Sequence, residues 1–417
     1  MSTSGILDAD SNQQKLRIGH LEGLRGISAL FVVNYHMMLA FSCTLDPQPP
    51  VSVLFDGEFH VLIFFIISGQ ALTQSYVSKE GDWRIIKSAM CRRGVRLILP
   101  IFAALLIAYV LRTVDYIGLM RYEEYTSEIC KNPGWNYVTT TRTGSILDDL
   151  VDLFKMMFYA GPMIDFQAGV LWTMPIEFLQ SYIIFMIAFF ANYFEKNGSG
   201  IAFIVTMCML AFFTRLDTLL FIVGYLFSIA EKENYFKKLT RRWQSMFYRV
   251  FLELSLPLTV LYLAIAQPDS MIVLEKFLER FSFNKHIGKK DCLLTYSCGA
   301  SPRFFYLIWA VLLVAFVTNS KKAKKVLNYK VISFLGKISF GVYLMHGSVL
   351  PVAAMCFALF IKIGIAPWAS MILARILCLF PLSIFLGYLF YFYIDLPIVK
   401  YTRTFYEYLC VRDVRSA

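Results

Sequence analysis

The chain has 417 residues, 58% hydrophobic and 17% charged, with 38 Phe and 24 Tyr, and its mean hydropathy is +0.58. A soluble globular domain is nearer half apolar and a quarter charged. This composition therefore excludes a soluble globular domain, and it implies an all-α polytopic membrane protein. The net charge of +11 would suggest nucleic acid in a soluble protein; here basic residues retained on cytosolic loops account for it, and no nucleic-acid partner is expected.

The first 20 residues, "MSTSGILDADSNQQKLRIGH", have no apolar core and no cleavage site. They read as a cytosolic tail, with the first span serving as its own signal. About ten transmembrane helices follow, at 26–42, 59–78, 97–113, 169–194, 201–213, 216–231, 249–268, 304–318, 338–361 and 368–394. Their lengths suit the hydrocarbon thickness. The fifth and sixth are short and joined by the polar "TRLD" at 214–217, so a single re-entrant hairpin is the alternative there.

Orientation follows from Lys and Arg. "KEGDWRIIKSAMCRRGVR" and "EKENYFKKLTRRWQSMFYR" carry six basic residues each and "KKAKKVLNYK" five, which places them in the cytosol with both termini. The spans and their loops form one domain over 21–396, and 397–417 is a cytosolic tail. The sequon at Asn197 then falls on an inner loop and is not expected to be glycosylated. Two long outer segments remain, 114–168 and 269–303. The first ends in "ILDDLVDLFKMMFYAG", whose apolar spacing suits a helix on the membrane surface. Nine cysteines are scattered without metal-type spacing. Cys292 and Cys298 share one outer loop and Cys130 lies in the other, so a disulfide and unpaired thiols are both open.

Ionisable groups inside spans are costly and usually face the bundle interior. In "LEGLRGISALFVVNYH", Arg25 and His36 are eleven residues apart, about three turns plus 20°, so they share a helix face with a rise of roughly 16 Å. A basic mouth suits a phosphate-bearing ligand, and a neutral imidazole deeper in can accept a proton. Interhelical hydrogen bonding explains the same spacing equally well. Ser68, Gly69 and Gln70 in "FFIISGQAL" suit close helix approach first. "LWTMPIE" buries Glu177 after Pro175, a proline expected to interrupt the helix where a cavity is lined. His346 in "SFGVYLMHGS" completes a trio, His36, Glu177 and His346, expected at similar depth. No pair among them has helical metal-ligand spacing, so no metal is expected. Arg92, Arg93 and Arg96 in "CRRGVRLILP" suit either membrane anchoring or a diphosphate clamp beside Arg25. Asp395 in "YFYIDLP" is expected as a structural rather than catalytic partner for those arginines.

In this order, across roughly 20–400, these motifs resemble those of the membrane-bound acyltransferases of acyltransferase family 3, and fungal members most. "LEGLRGISALFVVNYH", "FFIISGQAL", "RRGVRLILP", "LWTMPIE", "SFGVYLMH" and "YFYIDLP" each resemble a family segment. The resemblance implies transfer of an acyl group, commonly acetyl, from cytosolic acyl-CoA to a hydroxyl of a carbohydrate or small hydrophobic acceptor. The coenzyme is a co-substrate, not a resident cofactor. Arg25 and His36 match the pair on which the family depends. His346 and Glu177 follow as catalytic positions, Arg92, Arg93 and Arg96 as coenzyme-binding positions, and Ser68, Gln70 and Trp172 as substrate-binding positions. Gln70, the single acid Glu177 and Gly347 depart from the family pattern, which leaves the acceptor unassigned.

The implied mechanism docks the coenzyme phosphates on Arg25 and the arginine cluster and brings the thioester to His36, a general base. Direct transfer and an acyl-histidine intermediate are both open. Buried ionisable groups also suit a proton-coupled secondary transporter, although the sequence has no inverted repeat; a non-catalytic scaffold is a third class. The protein is expected as a multi-pass component of an endomembrane or the plasma membrane, in contact with the lipid bilayer, with a homo-oligomer left open.

Overall fold

The structure is a computed structural model that describes residues 3–40, 56–113, 171–233 and 304–415, with the single positions 147 and 151. Among the described residues every regular element is helical. In chain order they are α1 (Thr3–Ala40), α2 (Gly57–Ser78), α3 (Trp83–Thr113), α4 (Thr173–Lys196), α5 (Gly200–Thr214), α6 (Leu216–Lys232), α7 (Phe304–Asn319), α8 (Lys321–Leu327) and α9 (Lys330–Lys362). A final rod comprises α10 (Pro367–Ala374), α11 (Phe380–Phe390) and α12 (Leu396–Arg415), joined by π-helical turns at Arg375–Leu379 and Tyr391–Asp395.

Five of these stretches are long and apolar enough to cross a bilayer, or six if α7 and α8, bent by 91°, are one broken span. The expected helices over 59–78, 201–213, 216–231 and 304–318 coincide with α2, α5, α6 and α7. The expected span 249–268, the surface helix before 168 apart from the helical positions Leu147 and Val151, and Cys130, Cys292 and Cys298 lie outside the described residues. Three starts lie upstream of expectation, and the first span, expected from 26, belongs to a helix α1 that begins at Thr3. The third span was expected from 97, yet α3 begins at Trp83, and the ninth from 338, yet α9 begins at Lys330. Charge marks where a helix leaves apolar surroundings, not where its backbone hydrogen bonding ends, so the arginine cluster sits on α3 itself. The fourth span corrects in the other direction. Since α4 starts at Thr173, Pro175 occupies its first turn. An N–H there has no intrahelical acceptor, so the proline interrupts nothing.

Two close crossings build the centre. α1 lies along α9, and α2 along α6. A Cβ on Gly26 would collide with the Leu335–Gly336 backbone, and one on Gly336 with the Glu22 carbonyl. Likewise, a Cβ on Gly69 would meet the Phe221 backbone, and one on Gly224 the Ile66 carbonyl. Small residues thus let helix backbones touch, and polar bonds close the second crossing. The Ser228 hydroxyl donates to the Gln70 carbonyl at 3.0 Å and lies 3.1 Å from the Thr73 hydroxyl. α3 and the final rod are peripheral. Val95, Leu99, Leu106, Val110, Ile376, Leu377 and Phe385 are all exposed, as expected of helices that face lipid.

Between α5 and α6 the chain breaks at Arg215, whose backbone is extended (φ −149°, ψ 101°). Its guanidinium turns back onto Asp217 at 2.8 Å, and the Gln180 amide donates to the same carboxylate at 2.8 Å. The two charged side chains at the break are thereby paired within the protein.

Candidate active site

The α1–α9 crossing fixes the register of two histidines. From the Gly26–Gly336 contact both helices run the same way, and ten residues later on each they bring His36 and His346 together. The ring centroids are 4.9 Å apart, and both rings are buried. Each ring uses Nδ1–H on its own helix. His36 donates to the Val32 carbonyl at 2.9 Å and His346 to the Tyr343 carbonyl at 2.5 Å. A carbonyl can only accept, so Nδ1 carries the proton, and in a neutral ring Nε2 carries the lone pair. Two neutral imidazoles therefore present basic nitrogens in one apolar neighbourhood.

Beside this pair is a cavity of about 310 Å³, near the lower end of small-molecule sites. Arg25, Arg93, Arg96 and Lys337 supply positive charge to its wall, and Glu22, Glu177 and Asp395 negative charge. Arg25 reaches from α1 toward the Ser68 hydroxyl, 3.5 Å away, at the middle of α2. Arg93 donates to Glu177 at 2.5 Å and to the Ser181 hydroxyl at 2.7 Å. The π-helical turn at Tyr391–Asp395 lies at the same wall, to which Tyr391, Asp395, Leu396 and Val399 contribute. Such turns often mark functional segments.

Tyr343 connects cavity and imidazoles. It lines the cavity, and its ring lies 5.5 Å from that of His346. Its hydroxyl is 2.7 Å from the Thr173 hydroxyl at the start of α4. Neither histidine lines the cavity itself.

The sequence-derived residues divide accordingly. His36 and His346 meet. Glu177, expected beside them, is held by Arg93 on the cavity wall. Arg25, Arg93, Arg96 and Ser68 share that wall. Arg92 points elsewhere, bonding to the Ser88 carbonyl and lying over the Tyr406 ring. Gln70 is fully buried and donates to Glu231 of α6 at 3.3 Å. Trp172 precedes the first turn of α4 and does not line the cavity. Thr173, Lys337, Tyr343 and Glu22 are additions. Helical spacing could have found two of them: Tyr343 is three residues before His346, and Glu22 three before Arg25, positions that share a face.

The acyltransferase domain profile matches residues 18–392, nearly the whole chain. The chain belongs to the acyltransferase 3 family. Over 245 residues it is 24% identical to the O-acetyltransferase PaAT-1 of Phomopsis amygdali, an alignment covering 49% of this chain and 47% of that protein. The chain thus aligns with about half the length of that curated relative. No solved structure matches it. The family match and the apolar helices together describe an integral membrane protein.

Proposed function

We propose that the protein is a membrane-embedded O-acyltransferase. In this reading it takes an acyl group, acetyl in the first instance, from acyl-CoA and passes it to a hydroxyl of a carbohydrate or small hydrophobic acceptor. The observation that carries the reading is the adjacency of a cavity bearing Arg25, Arg93 and Arg96 to a buried pair of imidazoles. Arginine forks suit phosphate oxygens. A cavity of about 310 Å³ suits the acylated arm of the coenzyme, with the nucleotide left at the mouth. His36 Nε2 takes the proton of the acceptor hydroxyl, whose oxygen attacks the thioester carbonyl. We assign Glu177 to the donor side, as the counter-ion of Arg93. The family match and the O-acetyltransferase relative support an enzyme over a proton-coupled carrier.

The test uses the full chain in detergent or vesicles with labelled acetyl-CoA and a panel of hydroxyl compounds. Acceptor-dependent thiol release is expected, and His36→Ala abolishes it while the protein stays folded and membrane-inserted. Wild-type turnover in that variant would refute the base assignment. A burst of thiol before acceptor is added would favour an acyl-histidine route over direct transfer.

A further inference from the structure

Acyl transfer builds negative charge on the thioester oxygen, and the site must supply a hydrogen-bond donor aimed at that charge. Neither imidazole can do so in its neutral form. His36 and His346 each donate Nδ1–H to a backbone carbonyl, which leaves their Nε2 atoms as acceptors. His346 Nε2 is fully buried and has no hydrogen-bond partner among the described residues. Two such rings 4.9 Å apart are bases, and the donor must come from another residue.

The arginines are a poor choice for that role. Arg93 is already engaged by Glu177 and Ser181. Arg25 faces Ser68, and Arg25 and Arg96 belong to the charged wall of the cavity. Tyr343 is differently placed. It lines the cavity, its ring lies beside His346 at 5.5 Å, and its hydroxyl is set by Thr173 at 2.7 Å. Thr173 also lines the cavity, so both hydroxyls stand where the acylated end of a donor would meet the imidazoles. In that bond Thr173 can be the donor, with the phenol oxygen as its acceptor.

We propose that the Tyr343 hydroxyl is the hydrogen-bond donor to the thioester oxygen during transfer, with Thr173 as the residue that positions it. The proposal rests on the acyltransferase reading above. His36 Nε2 removes the proton of the acceptor hydroxyl as its oxygen bonds to the carbonyl carbon. The carbonyl electron pair moves onto oxygen, which accepts from Tyr343 O–H. Collapse re-forms the carbonyl and breaks the C–S bond. The departing thiolate takes the proton from the imidazolium, giving ester and free thiol.

The test measures thiol release from acetyl-CoA by the full-length protein, with octyl glucoside as hydroxyl probe and with water alone. Tyr343→Phe is expected to lower kcat on the order of 100-fold and to leave the KM for acetyl-CoA within about twofold. Thr173→Val, which keeps the phenol but removes its partner, is expected to lower kcat by on the order of 10-fold. Fluorinated tyrosines at 343 provide an isosteric series, in which a true donor makes the rate follow phenol acidity. Wild-type turnover in Tyr343→Phe, or a fluorotyrosine series flat against acidity, overturns the proposal while leaving the acyltransferase reading intact. If Tyr343→Phe does not fold, the fluorotyrosine series decides alone. No thiol release by the wild-type chain in either condition overturns the acyl-CoA reading and this proposal together.

Discussion

Neutralising the Arg93–Glu177 pair from each side should produce opposite effects on donor binding. The pair is close, 2.5 Å, with both side chains largely buried at 12% and 14% exposure, and a second bond ties Arg93 to Ser181. If coenzyme phosphates bind Arg93, they must compete with Glu177. Arg93→Gln removes a charge-assisted hydrogen bond to the donor, worth about 1.5–3 kcal/mol, so the KM for acetyl-CoA should rise on the order of 10- to 100-fold. Glu177→Gln removes the competitor, so KM should fall several-fold with kcat retained. Breaking a buried pair from one side typically costs about 3–5 kcal/mol. Arg25 shares the cavity wall with Glu177 and limits the uncompensated charge left by Arg93→Gln, so the loss there should be near the lower bound. The assay is steady-state thiol release against acetyl-CoA concentration, with thermal unfolding in detergent run in parallel. A hundredfold fall of kcat in Glu177→Gln would refute the counter-ion assignment and return Glu177 to the chemistry. An unchanged KM in Arg93→Gln would remove this arginine from donor recognition.

The other predictions concern packing and pH. Gly336→Val places a side chain against the Glu22 carbonyl, and overpacking of this kind costs about 1–3 kcal/mol. A lower unfolding temperature and a loss of turnover are expected, since the same crossing sets the histidine pair; an unchanged melt would contradict the close approach. Ser228→Ala removes the 3.0 Å bond to the Gln70 carbonyl and should cost about 1 kcal/mol in the same melt with little change in KM. His20 lies on α1 before the apolar run, fully buried. Burial, with the Lys324 ammonium adding to it, holds its pKa down to about 4 from the usual 6.5. The folded protein thus disfavours protonated His20. Its contribution to stability is intact above pH 6.5 and is lost as pH falls toward 4, by about 1.4 kcal/mol per unit. A His20→Gln variant should show a flatter melt over that window, and an equal slope in both proteins would exclude His20 as the source.

Much of the architecture was legible because hydrocarbon imposes a one-dimensional rule: apolar runs must be helical and of bounded length. Hydropathy therefore located α2, α5, α6 and α7 closely, and it missed the helical starts at Thr3, Trp83 and Lys330 because charge ends an apolar run without ending a helix. The one-face relation of Arg25 and His36 was likewise readable, since helical period is local. Which residues meet across helices is not local. His36 finds His346 because Gly26 and Gly336 let two backbones touch and set their register. Glu177 lies with Arg93, because α4 starts at Thr173 and packs along α3, which sets Glu177, just past its first turn, against that arginine. Gln70 and Ser68, two residues apart, face different neighbours, Glu231 of α6 and Arg25 of α1. Tyr343 gains its place through Thr173, 170 residues away in the chain. The sequence by itself determined the medium, the helices and the chemical vocabulary of the site. Only the tertiary structure decided which charges neutralise one another and which nitrogens stay basic, because those outcomes depend on distances between helices that no periodicity within one helix encodes.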